Sequence, residues 1–139
     1  MTPLDRHLAK TFRAARWGAA GPTCPSCFDA LDLKPPVPDL FTPGLARYEC
    51  RVCHVIFSDV KGTRFYSAKP VPVTLWAYLV LHGDPGLLNW SKVEEKRCTF
   101  LVTRIRGTPF AAAWREQLHQ AGITVERMRR VLIRHPEAA

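Results

Sequence analysis

A chain of 139 residues can bury one compact core, or two very small ones, without the help of disulfides. Its formal net charge of +8 points to an anionic partner, most economically nucleic acid. The longest apolar run, VTLWAYLVL at 73–81, falls far short of the roughly 18 residues that span a bilayer, so it reads as a core helix and no membrane partner is expected.

The N-terminal segment opens with Thr2-Pro3, a threonine placed as N-cap and a proline at the first helical position. Leu4, Leu8 and Phe12 then recur four apart, and Gly18 follows Trp17. The spacing predicts an amphipathic helix over 4–17 with a basic outer face. The same segment has no apolar stretch followed by a small-residue cleavage site, which gives the cytoplasm as the expected compartment.

Two Cys-x-x-Cys pairs come next, Cys24/Cys27 in CPSC and Cys50/Cys53 in CRVC, with twenty-two residues between them. This is zinc-ribbon spacing: each tight turn holds half of a tetrahedral site, and a closed tetrathiolate leaves no position for a reacting water. One structural zinc ion held by Cys24, Cys27, Cys50 and Cys53 is therefore expected. Three other readings weigh less. Cys50 to His54 fits the haem-attachment pattern CxxCH, but that chemistry needs an exported chain. Disulfides need an oxidising compartment. A thioredoxin-like site needs a βαβ pattern around one pair, and neither pair has it. Cys98 is left over and reads as a small buried hydrophobe, and His54 as a neighbour of the metal rather than a ligand.

Between the pairs, KPPVPDLFTPG at 34–44 carries four prolines and cannot be a central strand. Strands are expected at 46–49 and 55–58 around the second knuckle and at 63–66 after a turn at Val60, Lys61 and Gly62. Beyond residue 69 the pattern turns helical, with expected helices at 73–82, 88–96, 99–106, 109–120 and 125–134, the last two capped by Thr108 and Thr124. The fold class is α+β, a small antiparallel zinc ribbon (21–68) between a basic N-terminal helix (1–20) and a helical, helix-turn-helix-like half (69–139).

Charge is unevenly placed along this order. The stretch 21–60 has Lys34, Arg47 and Arg51 against Asp29, Asp32, Asp39, Glu49 and Asp59, whereas 61–106 has eight Lys or Arg against Asp84, Glu94 and Glu95. The metal module is thus not the basic part. Lys92, Lys96, Arg97, Arg104 and Arg106 are the expected phosphate contacts on duplex DNA, with Arg104 best placed to reach a base edge.

The run YECRVCHVIFSDVKGTRFYSAKPVPVTLW at 48–76 resembles the N-terminal zinc-ribbon region of bacterial insertion-sequence transposases and of short transposon-associated proteins of unknown function. The resemblance rests on Tyr48, Cys50, Cys53, Phe57, Gly62-Thr63, Lys69-Pro70 and Trp76. It departs from that pattern at Phe28 and His54, where a glycine commonly follows each cysteine pair, and in the short 88–106 stretch. It implies a mobile-element or phage setting and a ribbon followed by a helix-turn-helix. The ribonuclease-H-like catalytic domain of such transposases has no counterpart here, and no nucleophile–base set, phosphate loop or cofactor turn occurs, so a non-enzyme is expected. Two alternatives stay open: a protein-interaction adaptor or inhibitor docking through the acidic ribbon or the apolar LFTPGL segment, and an RNA binder using Tyr48, Phe57, Phe65 and Tyr66.

Overall fold

The computed structural model describes residues 2–28, 32–40, 42, 44–65 and 70–134. Helix α1, Pro3–Trp17, starts at a reciprocal cap in which the Thr2 side chain accepts from the Asp5 N–H (3.1 Å) while the Asp5 carboxylate accepts from the Thr2 N–H (3.0 Å). It stops where Gly18 takes a φ of 67°. Leu8 and Phe12 are fully buried on its inner face.

The ribbon is a three-stranded antiparallel sheet in the order β1 (Val37–Pro38), β2 (Ala46–Glu49), β3 (Ile56–Ser58). The proline-rich segment contributes β1 at the edge, the place where Pro38, lacking an N–H, costs no ladder bond. Tyr48 faces Phe57 across β2 and β3, ring centroids 5.3 Å apart, and both side chains are buried on the face toward the cysteines.

The strand expected at 63–66 is a turn over the residues described there, Tyr66 lying outside them. The Thr63 hydroxyl donates to the Val60 carbonyl (2.5 Å) and accepts from the Phe65 N–H (3.2 Å), so the chain bends before it can extend the sheet. Phe65 is thereby driven into the core. There Phe12, Phe65, Phe110 and Trp114 meet with centroids 4.8–6.4 Å apart, and Trp76 stands 5.0 Å from Phe65. Such aromatic pairs add about 0.5–1.5 kcal/mol each beyond the area they bury.

Helix α2, Val73–Val80, is the axis of the helical half, with all eight residues buried and α1, α3, α4 and α5 packed on it. It ends two residues before the expected 82. Its terminal carbonyls are taken by two guanidiniums: Arg106 donates to Leu79 O (3.1 Å) and Gly83 O (2.8 Å), and Arg115 to Val80 O (2.7 Å). Gly83 is required there because a Cβ would sit 2.4 Å from the Tyr78 ring.

Two expected helices, 88–96 and 99–106, prove to be one. Helix α3 runs unbroken over Lys92–Ile105 from a Ser91 cap, after a 3-10 turn at Pro85–Leu88 that Asn89 closes in the left-handed region. Lys96, Arg97 and Cys98 include neither glycine nor proline, and nothing in them can interrupt the hydrogen-bond ladder. Helices α4, Pro109–Gln120, and α5, Val125–Arg134, start as expected, with Thr108 accepting from Ala111 N–H and Thr124 from Arg127 N–H (both 3.2 Å). One core joins Leu8 and Phe12 of α1, Leu45, Val60 and Phe65 from the ribbon side, and the helical half.

Candidate metal centre

Each cysteine pair is folded by a backbone turn that reverses the chain within five residues. Phe28 N–H bonds to Cys24 O (2.8 Å) and His54 N–H to Cys50 O (3.0 Å), and both closing residues sit in the left-handed region, φ 56° and 63°. These are the positions where glycine would be at ease. The turns keep their geometry with larger residues, at a cost of about 1–2 kcal/mol each. The Cys27 N–H also points at the Cys24 sulfur (3.3 Å).

The two turns bring the four sulfurs within 4.8 Å of one another. Cys24 Sγ lies 3.5 Å from Cys53 Sγ, and Cys50 Sγ 3.9 Å from Cys27 Sγ. A tetrahedral tetrathiolate with metal–sulfur bonds of roughly 2.3 Å has edges of roughly 3.8 Å, so the cluster fits an ion without rearrangement. The same distances are far too long for disulfides, and all four cysteines are free. The thiols are inequivalent. Burial opposes ionisation of Cys24, but the amides of Cys27 and Ser26 outweigh it and bring it down to about 7; hydrogen bonding to Cys53, with burial behind it, pushes Cys27 up to about 12. Metal sites of this kind hold their sulfurs as thiolates, so binding a cation releases protons.

His54 stands outside the sulfur cluster, solvent-exposed, with its Nδ1 3.9 Å from Glu49 Oε2. Glu49 also pairs with Lys34, and its carboxyl is held below the usual range first by that lysine. Leu33 forms a bridge with Cys50 that ties the chain following the first knuckle to the second. Trp17, the last residue of α1, packs edge-on against Tyr48 and Phe57 (6.4 and 5.9 Å), closing a small apolar shell beside the sulfurs.

The residue that joins this centre to the rest of the protein is Asp59, which the sequence reading counted only as one of the ribbon's acids. Its side chain is fully buried and accepts four hydrogen bonds: Arg13 Nε (3.0 Å), Trp17 Nε1 (2.8 Å), Ala46 N (2.8 Å) and Tyr48 OH (2.7 Å). Arg13 donates further to Gly44 O (3.2 Å), and Arg16 to Lys61 O (2.9 Å). The expected basic outer face of α1 is thus corrected. Arg13 and Arg16 turn to the ribbon, and only Arg6, His7 and Lys10 remain as exposed polar groups on the helix. An aspartate directly after a strand, i+9 from a cysteine, carries no local signal of burial; its partners lie 13 to 46 residues away or, for Tyr48, 11.

Of the five expected phosphate contacts, Lys92 and Lys96 lie exposed one turn apart on α3. Arg97 and Arg104 are half-buried along one edge of the helix: Arg97 pairs with Glu94 (3.4 Å) and Arg104 lies over the Phe100 ring (5.7 Å). Arg106 is elsewhere, spent on the end of α2. The buried face of α3 is Cys98, Leu101 and Ile105; Val93 and Phe100 are 73% and 61% exposed beside the two lysines. Cys98 is indeed a buried thiol, raised to about 11 by that burial. No described helix is long and apolar enough to cross a membrane. In comparisons with protein families, curated proteins and solved structures, nothing matches this chain.

Proposed function

We propose that this is a small, non-enzymatic, zinc-stabilised DNA-binding protein, an accessory, regulator or relic of a mobile element or phage. It grips duplex DNA with the outward face of α3 while the ribbon and α1 hold the helical half in place. Zinc is the proposed ion because a closed set of four thiolates in tetrahedral disposition suits it, and the closed set assigns it a structural role. The mobile-element setting rests on the resemblance of 48–76 to transposase ribbons.

The observation that carries the reading is the exposure of Lys92 and Lys96 on one face of α3, bordered by Arg104 and by Arg97, which is ion-paired with the part-exposed Glu94. These cations position the protein on phosphates; Arg104 is the side chain nearest to reading a base edge. Fluorescence anisotropy with a labelled duplex tests it. Two to four neutralised phosphates give a log–log salt slope of roughly −2 to −4, and K92E/K96E should abolish binding near 50 mM salt. Absence of binding to any duplex, or indifference to the double substitution, sinks the proposal. Metal analysis of the purified protein should return one zinc per chain; iron in its place would refute the ion assigned.

The adaptor reading has one observation in its favour, the exposed Val93 and Phe100 on that same helix face. A nuclease-resistant, stoichiometric protein partner lost on F100A would support it over DNA.

A further inference from the structure

Beside the first knuckle, between the end of α1 and the ribbon, lies a hollow of about 360 Å³ whose walls include Arg16, Trp17, Phe28, Phe57 and Lys61. Its size is within the range of small-ligand sites, and its surface is mostly apolar, lined by two cations and, among the described residues, by no carboxylate. Phe28 is 83% exposed, held there by the left-handed turn that closes the Cys24–Cys27 knuckle. A large aromatic in a position that prefers glycine, carrying nearly its whole ring in water, gains nothing from packing. Trp17 and Phe57 form the floor.

Arg16 is set up for a ligand rather than for the fold alone. Its guanidinium lies 3.9 Å over the Trp17 ring and one Nη donates to Lys61 O, but its Nε is buried with no hydrogen-bond partner among the described residues. A second depression, about 240 Å³, shares Phe57 and Lys61 with the first but opens on the opposite face of the sheet, beside Arg47, Ile56, Leu40 and the carboxylate of Asp39. The first hollow alone sets an exposed ring beside two cations, which are the requirements of an unpaired nucleotide: stacking is satisfied by any π-face, and the phosphate goes to the cations.

We propose that this hollow is a nucleotide site, taking one unpaired nucleobase against Phe28 with its phosphate on Arg16 and Lys61. The inference does not rest on the α3 reading, since none of its residues belongs to that helix.

The test uses the intact zinc-loaded protein and 5′-fluorescein-labelled dT8 and rU8 in anisotropy titrations near 50 mM salt, with thymidine monophosphate as competitor. Wild type should bind at least one of the single strands. F28G removes the ring while relieving the left-handed backbone, so a loss cannot be put down to misfolding; it should weaken binding by roughly tenfold or more. K61Q leaves the carbonyl used by Arg16 in place and should weaken it severalfold and flatten the salt dependence. Duplex affinity should be unchanged by F28G. Displacement by the mononucleotide alone identifies free nucleotide as the source, and binding of dT8 or rU8 without such displacement identifies a strand; either supports the site. Failure of all three probes to bind, or F28G and K61Q behaving as wild type, overturns it. Loss of duplex binding in K92E/K96E speaks only to α3, so the two ideas fail separately.

Discussion

The ribbon and the helical half solve the same problem of stability with opposite means. The helical half surrounds a wholly buried helix with an aromatic core, and its helices close with hydroxyl and arginine caps. The ribbon has strands of two, four and three residues and an apolar shell of a few side chains. So little buried surface cannot offset the ordering of its backbone, at roughly 1–2 kcal/mol per residue, without cross-links. Two cross-links can supply this: an ion held by the four clustered sulfurs, and the buried carboxylate of Asp59 that four donors from α1 and the sheet enclose. The lesson is that one chain can carry a module that a packed core stabilises beside one in which buried polar bonds and a cysteine cluster suited to a metal stand in for a core.

The sharpest way to break that contrast is to remove the metal. Structural zinc sites contribute on the order of 10 kcal/mol to folding, which exceeds what this ribbon can muster alone. Chelation, or C50S, should unfold the sheet while leaving most helical circular dichroism in place. Thiol titration reads the same event: four cysteines should react after chelation, and Cys98, buried and raised to about 11, only when the helices unfold with denaturant. Simultaneous reaction of five thiols would show that the two regions stand or fall together.

Next in size come two core substitutions. D59A deletes the acceptor for four donors and leaves Arg13 without its partner, which should cost about 3–5 kcal/mol. W114A empties the aromatic centre of the helical half and should cost about the same, about 3–5 kcal/mol. The contrast lies in where the damage appears. Hydrogen exchange should rise first in 46–59 for D59A and in α1 and α4 for W114A; an identical pattern for both would erase the distinction.

The regularities visible in the sequence were those with short-range causes. Thr2-Pro3, Thr108-Pro109 and Thr124 cap helices through bonds spanning three residues, and the paired cysteines form their turns within five. The missed features depend on distant partners. Asp59 is defined by residues on α1 and β2, and Arg106 by carbonyls of α2, so neither can be told from a solvated charge by its neighbours. The break expected inside α3 had the same origin. The local pattern of 88–96 and 99–106 reads as two helices, while the buried face of Cys98, Leu101 and Ile105 continues along one. The cluster of four cysteines was legible because the spacing of the two pairs alone brings them together. Which cations of α3 face outward was legible only in part, since outward direction is set by packing.

A smaller effect tests how the knuckles tolerate side chains at left-handed positions. H54G should stabilise the second turn by up to about 1 kcal/mol, relief of backbone strain being partly offset by the freedom glycine gives the unfolded chain. Thermal unfolding of the metal-loaded protein measures it. A clear loss of stability would mean that the contact of His54 with Glu49 outweighs the strain.

The smallest effect belongs to the helical half and to pH. His82 follows α2, with its own φ at 66°, and burial, then Arg115, then Arg106 depress its imidazole. The folded form therefore refuses a proton that the unfolded chain accepts near pH 6.5, so the unfolded state binds more protons as pH falls through that value. Stability from this group is intact above that point and declines on acidification toward the lower folded value. Both arginines are fixed by the carbonyls they cap, so the repulsion cannot relax by their swinging away. H82N keeps a residue type that tolerates the left-handed backbone and removes the titration. Urea melts at pH 7.5 and pH 5.5 should show a smaller loss for H82N than for wild type; equal losses would place the acid sensitivity in the carboxylates of the ribbon instead.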